Sequence, residues 1–210
     1  MKPQPLTLLV LLTSITPQLH AHPNDNLAEK ITTLEQRIQQ LEQQLAPLQQ
    51  AHETQRQARM EPTRAFQRIL ADADRYSRPQ LLAIEKLYNQ AAQDWSTPKA
   101  QEIINTLQQK YPHANRTGCA LLRHAQQLNG TQKEEQLQTI LAHHATAYFP
   151  DGVNVGAFAR LTLALHHRQQ GNTQAAQQQI DHLQQNHPHA IDQQGRPLLD
   201  HLHELETILP

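Results

Sequence analysis

The sequence predicts an all-α protein: an N-terminal coiled-coil helix, then a solenoid of about three helix pairs, then a C-terminal capping helix. Three observations carry that prediction. The 210 residues include 33 glutamines but only 6 glycines, and 4% are aromatic. This mixture favours helices over strands. A heptad of Leu and Ile runs through the first fifty residues, and prolines recur at a fixed interval through the rest.

The first element is a targeting segment. Lys2 precedes an apolar run from Leu6 to Ile15, and a polar stretch then ends in Leu19-His20-Ala21. This is the order of a secretory signal peptide, residues 1–21, with cleavage expected after Ala21. The run is too short to span a bilayer as a mature helix. No cysteine follows it, so lipoprotein acylation is not expected, and the expected location is the periplasm. Cys119 is the single cysteine, which leaves no intramolecular disulfide. It reads as a small buried core residue, with a reactive thiol as the less favoured alternative.

Residues 22–48 form the predicted coiled-coil stem. Leu27, Ile31, Leu34, Ile38, Leu41, Leu45 and Leu48 alternate in steps of four and three. Leu at every d position with Ile or Leu at a favours a parallel pair. A partner in register places Lys30 beside Glu35 and Arg37 beside Glu42. A homodimer is expected, with a trimer left open. Pro47 and then Pro62 are expected to limit this helix, because an internal proline removes a hydrogen bond and crowds the preceding turn. Residues 49–61 read as a polar linker.

Residues 62–210 read as a helical repeat domain. Pro112, Pro150 and Pro188 are spaced by 38 residues, as are Gly118 and Gly156. Apolar periodicity predicts helices at 79–94, 98–110, 116–129, 131–148, 154–169 and 172–186, closed by 196–208. Ala176, Ile180, Leu183 and Pro188 share their spacing with Ala100, Ile104, Leu107 and Pro112, whereas a 38-residue register puts Gln138 where the middle unit would carry Ala.

This pattern resembles the tetratricopeptide repeat over residues 79–190. Leu163-Ala164 matches the apolar-small pair of that family's first helix, and residues 168–172 resemble its helix-turn-helix corner. Its usual period is 34 residues. The order of signal peptide, coiled coil, linker and repeats is similar to the periplasmic coiled-coil and repeat proteins that accompany the Tol–Pal envelope system. That resemblance implies a homo-oligomeric stem, a protein-binding groove and a role in envelope assembly or division.

The net charge of −1 and the absence of a basic cluster argue against nucleic acid as a partner. No nucleophile elbow or phosphate-binding loop is present, and Asp72 and Asp74 read as a polar helix end. Neither an enzyme nor a cofactor is expected. Fourteen histidines raise a metal-binding alternative, but His143-His144 and His166-His167 are adjacent and diverge by about 100° on a helix. His201 and His203 diverge further, and His182, His187 and His189 span a helix end where they could converge; no metal ligands are assigned.

The expected function is therefore a non-enzymatic scaffold that binds another envelope protein or peptide. In superhelical arrays the first helices of successive pairs line the inner face. Asn115, Arg116 and Arg123 on one such helix, with Asn154, Arg160 and Arg168 on the next, are the candidate binding residues. Their alternative roles are helix capping and ion pairing between repeats. The segments 115–120 and 151–156 are more individual than general repeat sequence.

Overall fold

The computed structural model describes residues 23–202. The expected signal peptide lies outside the described residues, as does the part of the expected capping helix beyond residue 202. Among the described residues the fold is all-α, with eight α-helices and one short 3-10 turn. None of these helices is long and apolar enough to cross a membrane. The chain divides into two units between Gln49 and Gln50.

The first unit is built on α1, Pro23–Ala58, which continues into the second. Pro47 does not end it, contrary to expectation, and the helix also runs through most of the expected linker. Pro47 deprives the Gln43 carbonyl of its helical partner. Residues 27–53 are exposed all round, so water can take that carbonyl. The heptad side chains are exposed too, from 42% at Leu41 to 66% at Leu48.

In the second unit α2, Glu61–Leu70, leads through the 3-10 turn Ala71–Asp74 into three helix pairs. These are α3 (Arg78–Ala91) with α4 (Pro98–Lys110), α5 (Asn115–Ala125) with α6 (Gly130–His143), and α7 (Val155–Gln169) with α8 (Thr173–Asn186). Helices α3, α5 and α7 touch in succession and form one layer. Local signals explain most helix starts. Ser77 and Gln80 make a capping box, while Thr97, Asn154 and Asn172 accept from the amides of Ala100, Ala157 and Ala175.

The core is aliphatic. Ile104, Leu107, Leu121, Leu122, Leu137, Ile140 and Leu163 fill the space among the first pairs. A second cluster joins Leu161, Ile180, Leu183 and Leu198, with Phe158 against both. Each such side chain contributes about 1.5–3 kcal/mol on full burial. Helix α2 was not among the helices expected from periodicity. Only Glu61 and Ala65 of its ten residues are buried, and its apolar residues Ala65, Phe66, Ile69 and Leu70 form a short stripe that is largely left open.

The repeat register differs from the proline spacing. Tyr111, His144 and His187 end α4, α6 and α8, and their amides donate to Leu107, Ile140 and Leu183. Three residues on, Ala114, Ala147 and Ala190 donate back to the same three residues. These corners are 33 and 43 residues apart, which averages to the 38 seen in the prolines. Pro112 and Pro188 are equivalent, but Pro150 is not. It lies in a tight hairpin of residues 148–154, repeated at 191–197. Helix α6 ends at His143, before the first hairpin, and the second hairpin delays the next helical residues to 200–202. In this register Lys133, not Gln138, takes the place of Ala100 and Ala176, with Leu137 and Ile140 in the core positions.

Gly118 and Gly156 press on one corner from successive helices. A Cβ on Gly118 would lie 2.7 Å from Ala147 Cβ, and one on Gly156 only 2.5 Å from the Ala145 carbonyl oxygen. The second obstacle is backbone and cannot rotate away. Gly156→Ala is therefore expected to lower stability in urea unfolding by about 1–3 kcal/mol, the usual cost of overpacking.

Candidate functional site

The densest polar structure lies at the corners where one helix pair passes to the next. Helix α5 starts after Ala114, which has no side chain able to cap it. The cap comes from the 3-10 turn. The Asn115 amide donates to Asp72 Oδ2 at 2.7 Å, while Arg68 donates to Asp72 Oδ1 at 2.6 Å and to the His113 carbonyl at 2.9 Å. A carboxylate is well suited to this place, because the first amides of a helix carry partial positive charge.

Asn115 carries the connection onward. Its Nδ2 donates to the Tyr148 carbonyl at 2.7 Å, and its Oδ1 accepts from the Tyr148 amide at 2.8 Å. The side chain thus pairs with the first hairpin as a neighbouring strand would. Cys119 Sγ also reaches the Tyr148 carbonyl, at 3.3 Å. Burial pushes this thiol up to about 12, despite nearby Arg116 and Arg123. It is a core group and no nucleophile at neutral pH. At the hairpin tip Gly152, at φ +95°, lies against the backbone of Glu61 and Pro62. Burial and the adjacent Glu61 push the Tyr148 phenol up to about 12.

The six candidate binding residues do not form one groove. Asn115 and Asn154 are buried and serve the fold, Asn154 as the cap of α7. Arg116 pairs with Glu85 at 2.7 and 2.9 Å and stacks over Tyr88 at 4.5 Å. Arg123 lies over Phe149 at 4.8 Å. With its amide turned to the guanidinium, Gln193 accepts from both Arg123 Nη atoms at 2.9 Å, which links α5 to the second hairpin. Arg160 instead faces α8, donating to Gln179 at 3.2 Å, and Arg168 lines a cavity with α8 residues. All four arginines lie on helices of the same layer, but only Arg116 and Arg123 of α5 keep their side chains away from α8.

Two open cavities flank α2. One, of about 500 Å³, is lined by Glu61, Arg64, Tyr148, His187 and His189 among others. The other, of about 450 Å³, includes Arg68, Asp74, Arg75 and His113, and Thr146 contributes to both. The sequence offered little sign of the roles of Asp72, Arg68, Glu61 and Tyr148. The one usable clue was negative: α5 begins after an alanine, so its cap must come from elsewhere.

The histidines fall into separate environments. His144, His166 and His167 are buried, His182 contacts Asn186, and His201 contacts the buried Asp192 carboxylate at 2.9 Å. No group of three His, Cys, Asp or Glu among the described residues is placed to hold a metal ion. Burial, with His143, His113 and Arg68 nearby, depresses His144 to about 4. Burial likewise lowers His124 and His187.

In comparisons with known proteins, no protein-family model, curated protein or solved structure matches the chain. The class of protein thus rests on the fold: an all-α chain that joins an exposed heptad helix to a layered array of helix pairs.

Two outcomes follow from this geometry. Asn115→Asp replaces the donor facing the Tyr148 carbonyl with an acceptor, and should cost about 3 kcal/mol in urea unfolding. The His144 shift sets a pH dependence. The unfolded imidazole takes up a proton near 6.5 while the folded one resists to about 4, so stability is retained above 6.5 and lost as pH falls toward 4. The loss due to this residue is about 3 kcal/mol. Urea midpoints at pH 7.5 and 4.5 should therefore differ less in His144→Asn than in the parent.

Proposed function

We propose that this protein is a non-enzymatic, self-associating scaffold of the cell envelope, acting in the periplasm after removal of residues 1–21. The observation that carries the reading is the heptad seam, whose Leu and Ile side chains are all exposed on one continuous helix. A narrow apolar stripe with Gln, Glu, Lys and Arg around it becomes stable in water when a second helix covers it. A parallel copy supplies that cover and brings Lys30 to Glu35 and Arg37 to Glu42. Leu at d with Ile or Leu at a favours two strands.

The helix pairs are read as a TPR-like solenoid whose inner layer, carrying Arg116 and Arg123, meets another envelope protein or peptide. Both guanidiniums lie over aromatic rings, and a partner carboxylate would bind by exchanging with the Glu85 contact of Arg116 and the Gln193 contact of Arg123. Oligomerisation multiplies such contacts and raises avidity. A part in envelope assembly or division follows from the similarity of domain order to the Tol–Pal-associated proteins.

Leu34→Asp combined with Leu41→Asp tests the self-association. Sedimentation equilibrium should show the parent as an oligomer and the variant with the mass of one chain, with the helical circular-dichroism signal of the repeat domain kept. A parent of single-chain mass at micromolar concentration would reject the reading.

A further inference from the structure

Outside the stem seam, the large apolar side chains left exposed among the described residues are Met60, Phe66, Leu70 and Leu82. All four belong to α2, the residue before it, and α3. Isolated exposed leucines are ordinary, but their gathering at one end of an array marks a contact surface. Phe66 and Leu70 are one helical turn apart on α2 and lie side by side.

Beside Leu70 a cleft of about 280 Å³ opens between α2 and α3. Ile69, Leu70 and Ala73 line it from one side and Leu81 and Ile84 from the other, with Glu85 and Arg116 also on its wall. The cleft lies where α2 and the 3-10 turn meet the start of the array: Asp72 and Ala73 of the turn and Asn115 and Arg116 of α5 complete its wall. An array of helix pairs needs its ends covered, and here the junction of α2 with α3 is left apolar and open.

Charge indicates the character of that helix. Arg78 and Lys86 lie four residues to either side of Leu82, on one exposed stripe of α3, and Arg75 is exposed where the turn ends. Against these stands the exposed Asp74, since Glu85 is paired with Arg116. A symmetric contact with a second copy would bring these cations face to face, whereas an acidic partner would meet them favourably.

We propose that the cleft between α2 and α3 receives an acidic amphipathic helix of a partner protein. Its apolar face packs on Ile69, Leu70 and Leu81, above the buried Ile84, and its carboxylates face Arg75, Arg78 and Lys86. This is recognition of a helix in a groove. It goes beyond the proposed function by naming a second surface: the stem and Arg123 take no part, and Arg116, which the two surfaces share, is already paired with Glu85.

The test uses the chain from residue 22 onward and fluorescence anisotropy with helical peptide probes of about 18 residues, or five turns. Three probes share their leucine spacing and carry Glu, Lys or Gln at the polar positions; vesicles of phosphatidylglycerol are assayed beside them. The Glu probe should bind saturably and about tenfold or more tighter than the others, a difference of about 1.4 kcal/mol. Leu70→Asp should abolish binding, and Arg78→Glu with Lys86→Glu should transfer the preference to the Lys probe, both with unchanged melting curves. Leu34→Asp with Leu41→Asp should leave Glu-probe binding intact, which separates this surface from the stem. Failure of the Glu probe to bind, equal binding of all three, or binding indifferent to Leu70→Asp would overturn the proposal. So would a fall in oligomer mass on Leu70→Asp, which identifies a second copy as the occupant, or a loss of vesicle binding, which identifies a lipid surface.

Discussion

The helix-pair array depends on a cap that α5 does not own. Its first amide donates to Asp72, from a turn 43 residues earlier, and the same residue's side chain then holds the backbone of Tyr148 from 33 residues later. Three separate parts of the chain meet through two adjacent residue contacts. The first bond satisfies a buried amide that would otherwise cost about 1–3 kcal/mol, and the other two satisfy the half-buried backbone of Tyr148. Around this chain the aliphatic core supplies most of the stabilisation without direction, and the polar groups fix which corner meets which.

That constraint accounts for residues whose types look functional. Asn115 and Asn154 are polar and placed at helix starts, as binding residues would be. Their burial and full hydrogen bonding show that the fold uses them. Gly156 is required because a carbonyl lies where its side chain would go, and Gly152 because the hairpin tip has positive φ and meets α2. The individual character of segments 115–120 and 151–156 thus has a structural cause.

The parts legible in the sequence were those with local causes. The heptad of the stem and the apolar stripes of α3 to α8 repeat within one or two helical turns, so periodicity alone locates them. Pro47 is carried within the stem: water can satisfy the freed Gln43 carbonyl of an exposed helix, although the crowding of the preceding turn remains a cost. The even proline spacing misled because two corners separated by 33 residues and two by 43 average to the same interval. Hairpins 148–154 and 191–197 have too few residues to show a pattern, and Asn115 holds the first from a distance. Helix order groups Arg160 and Arg168 with the arginines of α5, but their side chains meet α8, a direction that helix order does not specify.

Amide hydrogen exchange on Asp72→Ala tests the central dependence most directly. If Asp72 anchors the corner, the amides of Asn115 and Tyr148 should lose protection together, while those within α7 and α8 keep theirs. Loss of protection at Asn115 alone, with Tyr148 as protected as in the parent, would contradict the account and reduce Asp72 to a local cap.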